Sequence, residues 1–346
     1  MNETEPVLLE VSQLRKEFAT RRGLADRLRG RVDEPFVAVR DVSFTLSAGE
    51  TLAVVGESGS GKSTLGRMVL GLVRSTSGSI SFEGRDITQV PGPARRALTR
   101  DIQVILQDPY ASLDPRQRVE EIIGEPLVIH GVGNPGERRR RVHELMDRVA
   151  LADRYRRVYP HELSGGLRQR VGIATALALN PKVIVADEPV SALDVSVQAQ
   201  ILDLLAEIQA DTAVAMIFIS HDLGVVQQVS DRVAVMCQGD MIELGDMASV
   251  YAKPQHPYTK ALLSAIPPAD PRQPYDPIVV GEVRPFAEHE PGCRFRKRCW
   301  LTEQVCVDQH PALSLRTTGS RARCHVSARD PENWFENTQA RALGGS

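Results

Sequence analysis

The stretch Gly56-Glu57-Ser58-Gly59-Ser60-Gly61-Lys62-Ser63-Thr64 satisfies G-x-x-x-x-G-K-[ST], the pattern of a phosphate-binding loop. Its flanks supply the context that this pattern needs. Thr51-Leu52-Ala53-Val54-Val55 is a short apolar run with β-branched residues, as expected of a buried strand, and Leu65-Gly66-Arg67-Met68-Val69-Leu70 has helical spacing. In such a strand, loop and helix the glycines let successive backbone N–H groups converge on one concavity. The helix dipole adds partial positive charge at the same place. Lys62 is expected to reach the β- and γ-phosphates of a bound nucleotide, and Ser63 to complete a Mg²⁺ shell.

Outward from this loop, residues 7–18 read as a strand ending at Phe18, residues 36–46 as a second, and residues 78–84 as a third, short one. Together they predict a sheet that opens with antiparallel pieces. Between the first two, Arg21, Arg22, Arg27, Arg29 and Arg31 mark a basic surface loop. Ile102 to Leu106 is a buried strand ending at Gln107. Residues 117–180 turn helical, and the run Arg138 to Arg141 reads as a solvated helix face because no aromatics interleave it. Lys182 to Ala186 is again a β-branched strand, tipped by Asp187 and Glu188. A helix over 197–208 leads to a strand over 213–220 that ends at His221. Strand, crossover helix and strand predict a parallel sheet, whose ligands gather outside the carboxyl ends of the strands. Gly56, Asp187 and His221 each lie just beyond such an end.

The chain has 346 residues, a quarter of them charged, and a net charge of −2, so no global basic field argues for nucleic acid. No apolar run approaches the ~18 residues of a membrane span, and the charged N-terminus does not read as a signal peptide. A cytosolic chain that reaches a membrane through partners is expected, with its five cysteines kept as thiols.

Leu163-Ser164-Gly165-Gly166-Leu167-Arg168-Gln169-Arg170 opens a second helix with a serine hydroxyl and two glycine amides, a second anion site in one chain. One triphosphate does not need both, so a second copy or a close partner is expected to share them. With these residues the chain resembles an ATPase subunit of the ABC transporters. Ser164, Gly165 and Gly166 are similar to the family's signature, Gln107 to its Q-loop, Ser191-Ala192-Leu193-Asp194 to its D-loop and His221 to its switch histidine. Asp108-Pro109-Tyr110-Ala111-Ser112-Leu113-Asp114-Pro115 and His256-Pro257-Tyr258-Thr259-Lys260 look like the branch that imports oligopeptides, dipeptides or nickel, and lean to its F-type subunit.

The resemblance implies an α/β fold of P-loop NTPase (RecA-like) type. Its mixed-sheet core would carry an antiparallel β subdomain and a helical subdomain at about 110–180 within a cassette over 1–250, followed by an extension over 251–346. It implies ATP and Mg²⁺ held by Gly56 to Thr64 with Gln107 and Asp187, Glu188 orienting and deprotonating the attacking water, and His221 sensing the γ-phosphate. Phe18 is the candidate to stack on adenine. It implies a second ATPase subunit in a head-to-tail pair (a heterodimer), two membrane permeases, a binding protein outside, and a place on the cytoplasmic face of the membrane. The rivals are an importer of nickel or another small solute, and a non-transport ABC ATPase. The latter would carry two cassettes, or a coiled coil between loop and signature, and this sequence shows neither. Leu167 and Thr175 depart from the family's usual glutamine and arginine.

Four cysteines, Cys293, Cys299, Cys306 and Cys324, are spaced C-x₅-C-x₆-C-x₁₇-C in a proline-flanked tail. The absence of a tight C-x₂₋₄-C hook disfavours zinc. Four thiolates on looser loops suit an iron–sulfur cluster better, free thiols being the third reading. Some peptide importer ATPases that this tail resembles carry a [4Fe–4S] cluster. Cys237, alone in a strand, reads as a small buried hydrophobe.

Overall fold

The computed structural model describes residues 7–19, 35–108, 110, 113–268, 270, 272, 275–278, 281, 290–331 and 334. The basic loop with Arg21 to Arg31 lies outside them, as do Pro109, Ala111 and Ser112.

Two sheets make the molecule. The smaller is antiparallel and is built from β1 (Val7–Phe18), β2 (Phe36–Ser47), β4 (Ser77–Phe82) and β5 (Arg85–Asp86), in the order β2-β1-β4-β5. The larger comprises β3 (Thr51–Val55), β6 (Ile102–Ile105), β7 (Val183–Asp187), β8 (Ala215–Ser220), β9 (Arg232–Cys237), β10 (Asp240–Asp246), β11 (Ser314–Leu315) and β12 (Arg321–Ala322). Its order is β11-β12-β10-β9-β3-β8-β7-β6. β6, β7, β8, β3 and β9 are mutually parallel, whereas β10, β12 and β11 continue the sheet antiparallel.

β3 explains the continuous apolar run that precedes the loop. Successive side chains point to opposite faces. Leu52 and Val54 enter one core, with β1, β2, β4 and the helix α1 (Lys62–Val69), while Ala53 and Val55 enter the other, beneath the helices that span 119–177 and 195–212. A strand covered on both faces has no polar side, which is why it reads as unbroken hydrophobicity.

α2 (Gly92–Asp101) has no counterpart in the sequence pattern; it fully buries no residue, and Leu98 alone of its side chains packs against a core, too little to mark an apolar stripe. Three helices follow, α3 (Val119–Ile129), α4 (Pro135–Arg148) and α5 (Gly165–Leu177). α4 starts at a capping box: Asn134 Oδ1 accepts from the Gly136 and Glu137 N–H groups, and the Glu137 carboxylate accepts from the Asn134 N–H. α6 (Val195–Thr212) carries the crossover from β7 to β8 and runs longer than its expected span, ending where Ala213 turns left-handed (φ 51°). The short α7 (Leu223–Val226), α8 (Met247–Ala252), α9 (Pro257–Ser264), α10 (Gln304–Asp308) and α11 (His325–Arg329) complete the described helices.

The tail is not merely strung along the surface. β12 pairs with β10 through Glu243↔Ala322 and Leu244↔Arg321, and β11 pairs with β12, so two short strands extend the main sheet past β10.

Candidate functional site

The parallel register brings the ends of β3, β6, β7 and β8 to one edge. Gly56 follows β3, Gln107 follows β6 by two residues, Glu188 follows Asp187 at the end of β7, and His221 follows β8. One cavity there is lined by Phe36, Ala38, Glu57, Ser58, Gly59, Gly61, Lys62, Ser63, Thr64, Gln107, Glu188 and His221.

The phosphate loop is clamped from behind. Ser60 O accepts from the Gly239 N–H in the β9–β10 turn at 3.0 Å, and Gly239 O accepts from the Arg40 N–H of β2 at 2.8 Å. Gly61 has φ 105°, and a Cβ there would stand 2.2 Å from Ala38 O, so only glycine lets the loop pass between β2 and that turn. Lys62, 4% exposed, donates to Gly56 O at 2.7 Å and Glu57 O at 2.9 Å, which folds the loop around its ammonium group. Burial lowers its pKa, opposed by the charges of Glu188, Asp187 and Glu57.

Ser63 Oγ donates to Asp187 Oδ1 at 2.9 Å, joining the start of α1 to the tip of β7. Burial raises the Asp187 pKa despite that bond, so a bound cation would relieve a charge that burial disfavours. A hydroxyl and a carboxylate at hydrogen-bond distance suit Mg²⁺, which takes oxygen ligands and keeps water and phosphate oxygens as the rest of its shell.

Glu188 is the centre of the second half. Its backbone adopts φ 49°, costly for a residue with a Cβ, and its N–H donates to Ile219 O of β8 at 2.9 Å. Its Oε2 accepts from Gln107 Nε2 at 3.0 Å and lies 3.2 Å from His221 Nδ1. Three residues from three strand ends therefore meet on one carboxylate oxygen. Ser191 Oγ donates to Glu188 O at 3.1 Å, and Gln198 Nε2 donates to Val190 O and Leu193 O, both at 3.0 Å, so the segment Ser191 to Asp194 is braced against the same turn.

Phe18 does not line this cavity. It sits opposite Phe36 in the β1–β2 register and carries Lys16 Nζ 4.9 Å from its ring centre, whereas Phe36, 52% exposed, is the aromatic at the cavity wall. Pairing across two strands places one of two equivalent-looking aromatics at the site, which no local pattern reports.

Ser164, Gly165 and Gly166 are absent from the cavity wall too. Ser164 is exposed and caps α5, its Oγ accepting from the Leu167 N–H at 3.4 Å. A Cβ on Gly166 would stand 2.5 Å from a Val197 methyl, so the glycine lets α5 and α6 meet closely. Arg168 donates to Pro160 O at 2.7 Å and lies 3.8 Å over the ring of Tyr110, tying this helix to the segment after Gln107. Leu167 packs against the core, and the Thr175 hydroxyl donates to Val171 O within its helix.

In the tail, burial pushes the Cys293 and Cys299 thiols up to about 12, and raises Cys324 as well, with each thiol further raised by its neighbours. The Cys293 N–H donates to Cys306 O at 2.8 Å. The four thiols thus share a neighbourhood, yet among the described residues no group of three or more His, Cys, Asp or Glu side chains is arranged to hold a metal ion. Cys237 is buried at the end of β9, as expected. Two contacts to the loop are not legible in the sequence: the Glu57 N–H donates to the Tyr258 hydroxyl at 2.8 Å, and Arg298 grips the Glu57 carboxylate. The motif His256 to Lys260 signals a branch of a family but not this contact.

Residues 39–191 match the family described as ABC transporter, and residues 242–306 match the oligopeptide/dipeptide transporter C-terminal region. The chain is 44% identical to the oligopeptide transport ATP-binding protein AppF of Bacillus subtilis, over 93% of this chain and 98% of that one. It is 53% identical to the glutathione import ATP-binding protein GsiA of Pectobacterium atrosepticum, over 81% of this chain and 44% of that one. It therefore spans about half the length of the GsiA relatives and nearly all of AppF. Among solved structures, a dimeric post-hydrolysis state of the ATP-binding cassette MJ0796 bound to ADP and Pi superposes with a TM-score of 0.61 at 27% identity, covering 69% of this chain and 99% of that one. The protein cbiO1 of Clostridium perfringens, part of the ABC transporter complex cbiONQ, gives 0.62 at 28% identity, covering 72% and 92%. No helix among the described residues is long and apolar enough to cross a membrane. With its loop, strand-end carboxylates and C-terminal region all accounted for, the chain belongs to the ABC transporter family, in the branch that carries the oligopeptide/dipeptide transporter C-terminal region.

Proposed function

We propose that this chain is the ATP-hydrolysing subunit that powers import of peptides through a multi-subunit ABC transporter. The carrying observation is the meeting of Gln107, Glu188 and His221 on one oxygen beside the Lys62, Ser63 and Asp187 cluster. Phosphoryl transfer to water is mainly positioning and neutralisation of charge. Gly56 to Thr64 would cradle the phosphates, with Lys62 leaving the loop carbonyls for the β- and γ-phosphates. Ser63 and Asp187 would hold Mg²⁺, while Gln107 orients Glu188, touches the metal or water, and links the site to the helical subdomain. Glu188 would take the proton of the attacking water, and His221 would contact the γ-phosphate. Phe36 is better placed than Phe18 to stack on adenine.

Ser164, Gly165 and Gly166, which lie outside this cavity, would complete the nucleotide site of a second ATPase subunit, in a heterodimer on the cytoplasmic side of two permeases fed by an external binding protein. Peptides are favoured as cargo because the relatives named above are ATP-binding proteins of oligopeptide transport and of glutathione import, glutathione being a tripeptide. The test is isolation of the tagged chain with its membrane partners and reconstitution in proteoliposomes. ATP-dependent uptake of a labelled di- or tripeptide supports the reading. Hydrolysis that no peptide stimulates and that moves none refutes the cargo but not the ATPase.

Cys293, Cys299, Cys306 and Cys324 would hold a [4Fe–4S] cluster. The support is the tail's resemblance to importer ATPases that carry such a cluster and its four thiols, the donor type that a cluster takes; the described side chains are not grouped as a metal site. No step of ATP hydrolysis passes through it. Iron and sulfide analysis with a visible absorption spectrum after anaerobic purification checks this, and a colourless, iron-free protein refutes it.

A further inference from the structure

Glu57 is the second residue of the phosphate loop, and its carboxylate is held by a residue 241 positions away. Arg298 Nη1 donates to Glu57 Oε2 at 2.7 Å and Nη2 to Oε1 at 2.6 Å, a fork on both oxygens. The Glu57 N–H meanwhile donates to the Tyr258 hydroxyl at 2.8 Å. Arg298 is itself pinned. Its side chain is 5% exposed, its N–H donates to Phe295 O at 2.9 Å, and its guanidinium lies 5.5 Å from the Phe295 ring and 5.9 Å from the Tyr258 ring.

An acidic side chain on the wall of a triphosphate cavity opposes its ligand, because like charges repel. Glu57 lines that cavity, and its main-chain oxygen accepts from Lys62 at 2.9 Å. We propose that Arg298 is a positioning residue for the nucleotide: it neutralises and turns aside the Glu57 carboxylate and, with Tyr258, fixes the loop backbone that must receive phosphate. The inference rests on reading this edge as the ATP site. Arg298 rides on the turn between Cys293 and Cys299, so the tail sets how tightly the cassette binds ATP. A purely structural ion pair would also hold the tail down, and it would do so equally well for every ligand state.

The test is a double-mutant cycle on the full chain, read by titration with the fluorescent analogue MANT-ATP in the presence of Mg²⁺ and by steady-state ATPase kinetics. Arg298→Ala should weaken MANT-ATP binding roughly tenfold by exposing Glu57, with the deficit shrinking at high salt. KM for ATP should rise while kcat at saturation changes far less. In a Glu57→Ala background the same Arg298→Ala change should cost less than about threefold, because no anion is left to expose. Arg298→Lys, which keeps the charge and loses the fork, should fall between. Should Arg298→Ala fail to fold, Arg298→Lys with and without Glu57→Ala reads the same coupling. Wild-type affinity in Arg298→Ala, or an equal loss with and without Glu57, overturns the proposal. Failure of the wild-type chain itself to bind MANT-ATP would instead refute the ATP reading beneath it.

Discussion

The edge that carries the candidate site and the tail packed beside it are held by different forces. At the edge, main-chain register does the placing: β6, β7 and β8 run parallel, so Gln107, Glu188 and His221 arrive together because each follows a strand of the same sheet. In the tail, buried polar side chains do the placing. Glu243 of β10 accepts the Gln255 N–H at 2.6 Å, His256 Nδ1 accepts the Tyr258 N–H at 3.0 Å, and Arg316 donates to Ala322 O and Cys324 O at 2.8 Å. Glu243, His256 and Arg316 are all buried. The edge should therefore lose chemistry without losing its fold when a side chain is changed, whereas the tail should change in stability when a charge is changed.

Glu188→Gln is the strongest probe of the first half of that contrast. ATP binding should be retained while turnover falls by about 10²–10⁴, the usual loss with a general base. Phosphate release and MANT-ATP titration read the two separately, and turnover at the wild-type rate would remove Glu188 from the mechanism.

The second half of the contrast makes a pH prediction. Burial raises the Glu243 carboxyl from its ordinary 4.5 to about 8. Between those values the unfolded chain is ionised while the folded one keeps its proton, so stability present below pH 4.5 is lost as pH rises to about 8. His256 works the other way: burial, aided by Arg316, lowers its imidazole from 6.5 to about 3, so stability present above pH 6.5 is lost as pH falls toward 3. Glu243→Gln should flatten the alkaline limb and gain a few kcal/mol at pH 8 relative to wild type, since each pH unit between the unfolded and folded values is worth about 1.4 kcal/mol. Near pH 5 the gain should be small. Thermal melts across pH decide it, and parallel profiles for variant and wild type would show that Glu243 is not the group responsible.

Which aromatic faces the nucleotide is a smaller effect. Phe36→Ala should weaken MANT-ATP binding by about 1 kcal/mol and Phe18→Ala by less, since stacking of a ring on a base is worth about 1–3 kcal/mol. The reverse order would return Phe18 to the site. The last is a change remote from both regions: Asn134→Ala removes the cap of α4 and should cost about 1 kcal/mol in chemical denaturation, with ATPase activity unchanged.

Much of the edge is readable in the sequence for a physical reason. A strand buried on both faces leaves an apolar run, and a polar residue just past that run marks the carboxyl end of the strand, so Gln107, Asp187, Glu188 and His221 announce themselves. The tail offers no such periodicity. β11 and β12 have two residues each, too few for alternation, and they become strands only because β10 presents an edge to them. α2 stays hidden because it fully buries no residue.

The loop from Gly56 to Thr64, its flanking strand and helix, and the carboxylates at the end of β7 were determined by the sequence alone, since local propensity and spacing suffice for them. Tertiary structure decided which aromatic faces the cavity, that the signature at Ser164 lies outside it, and that Arg298 reaches back to Glu57. Those three facts depend on strand pairing and on contacts between residues far apart in the chain, and a linear pattern does not encode which distant groups come within a hydrogen bond's reach.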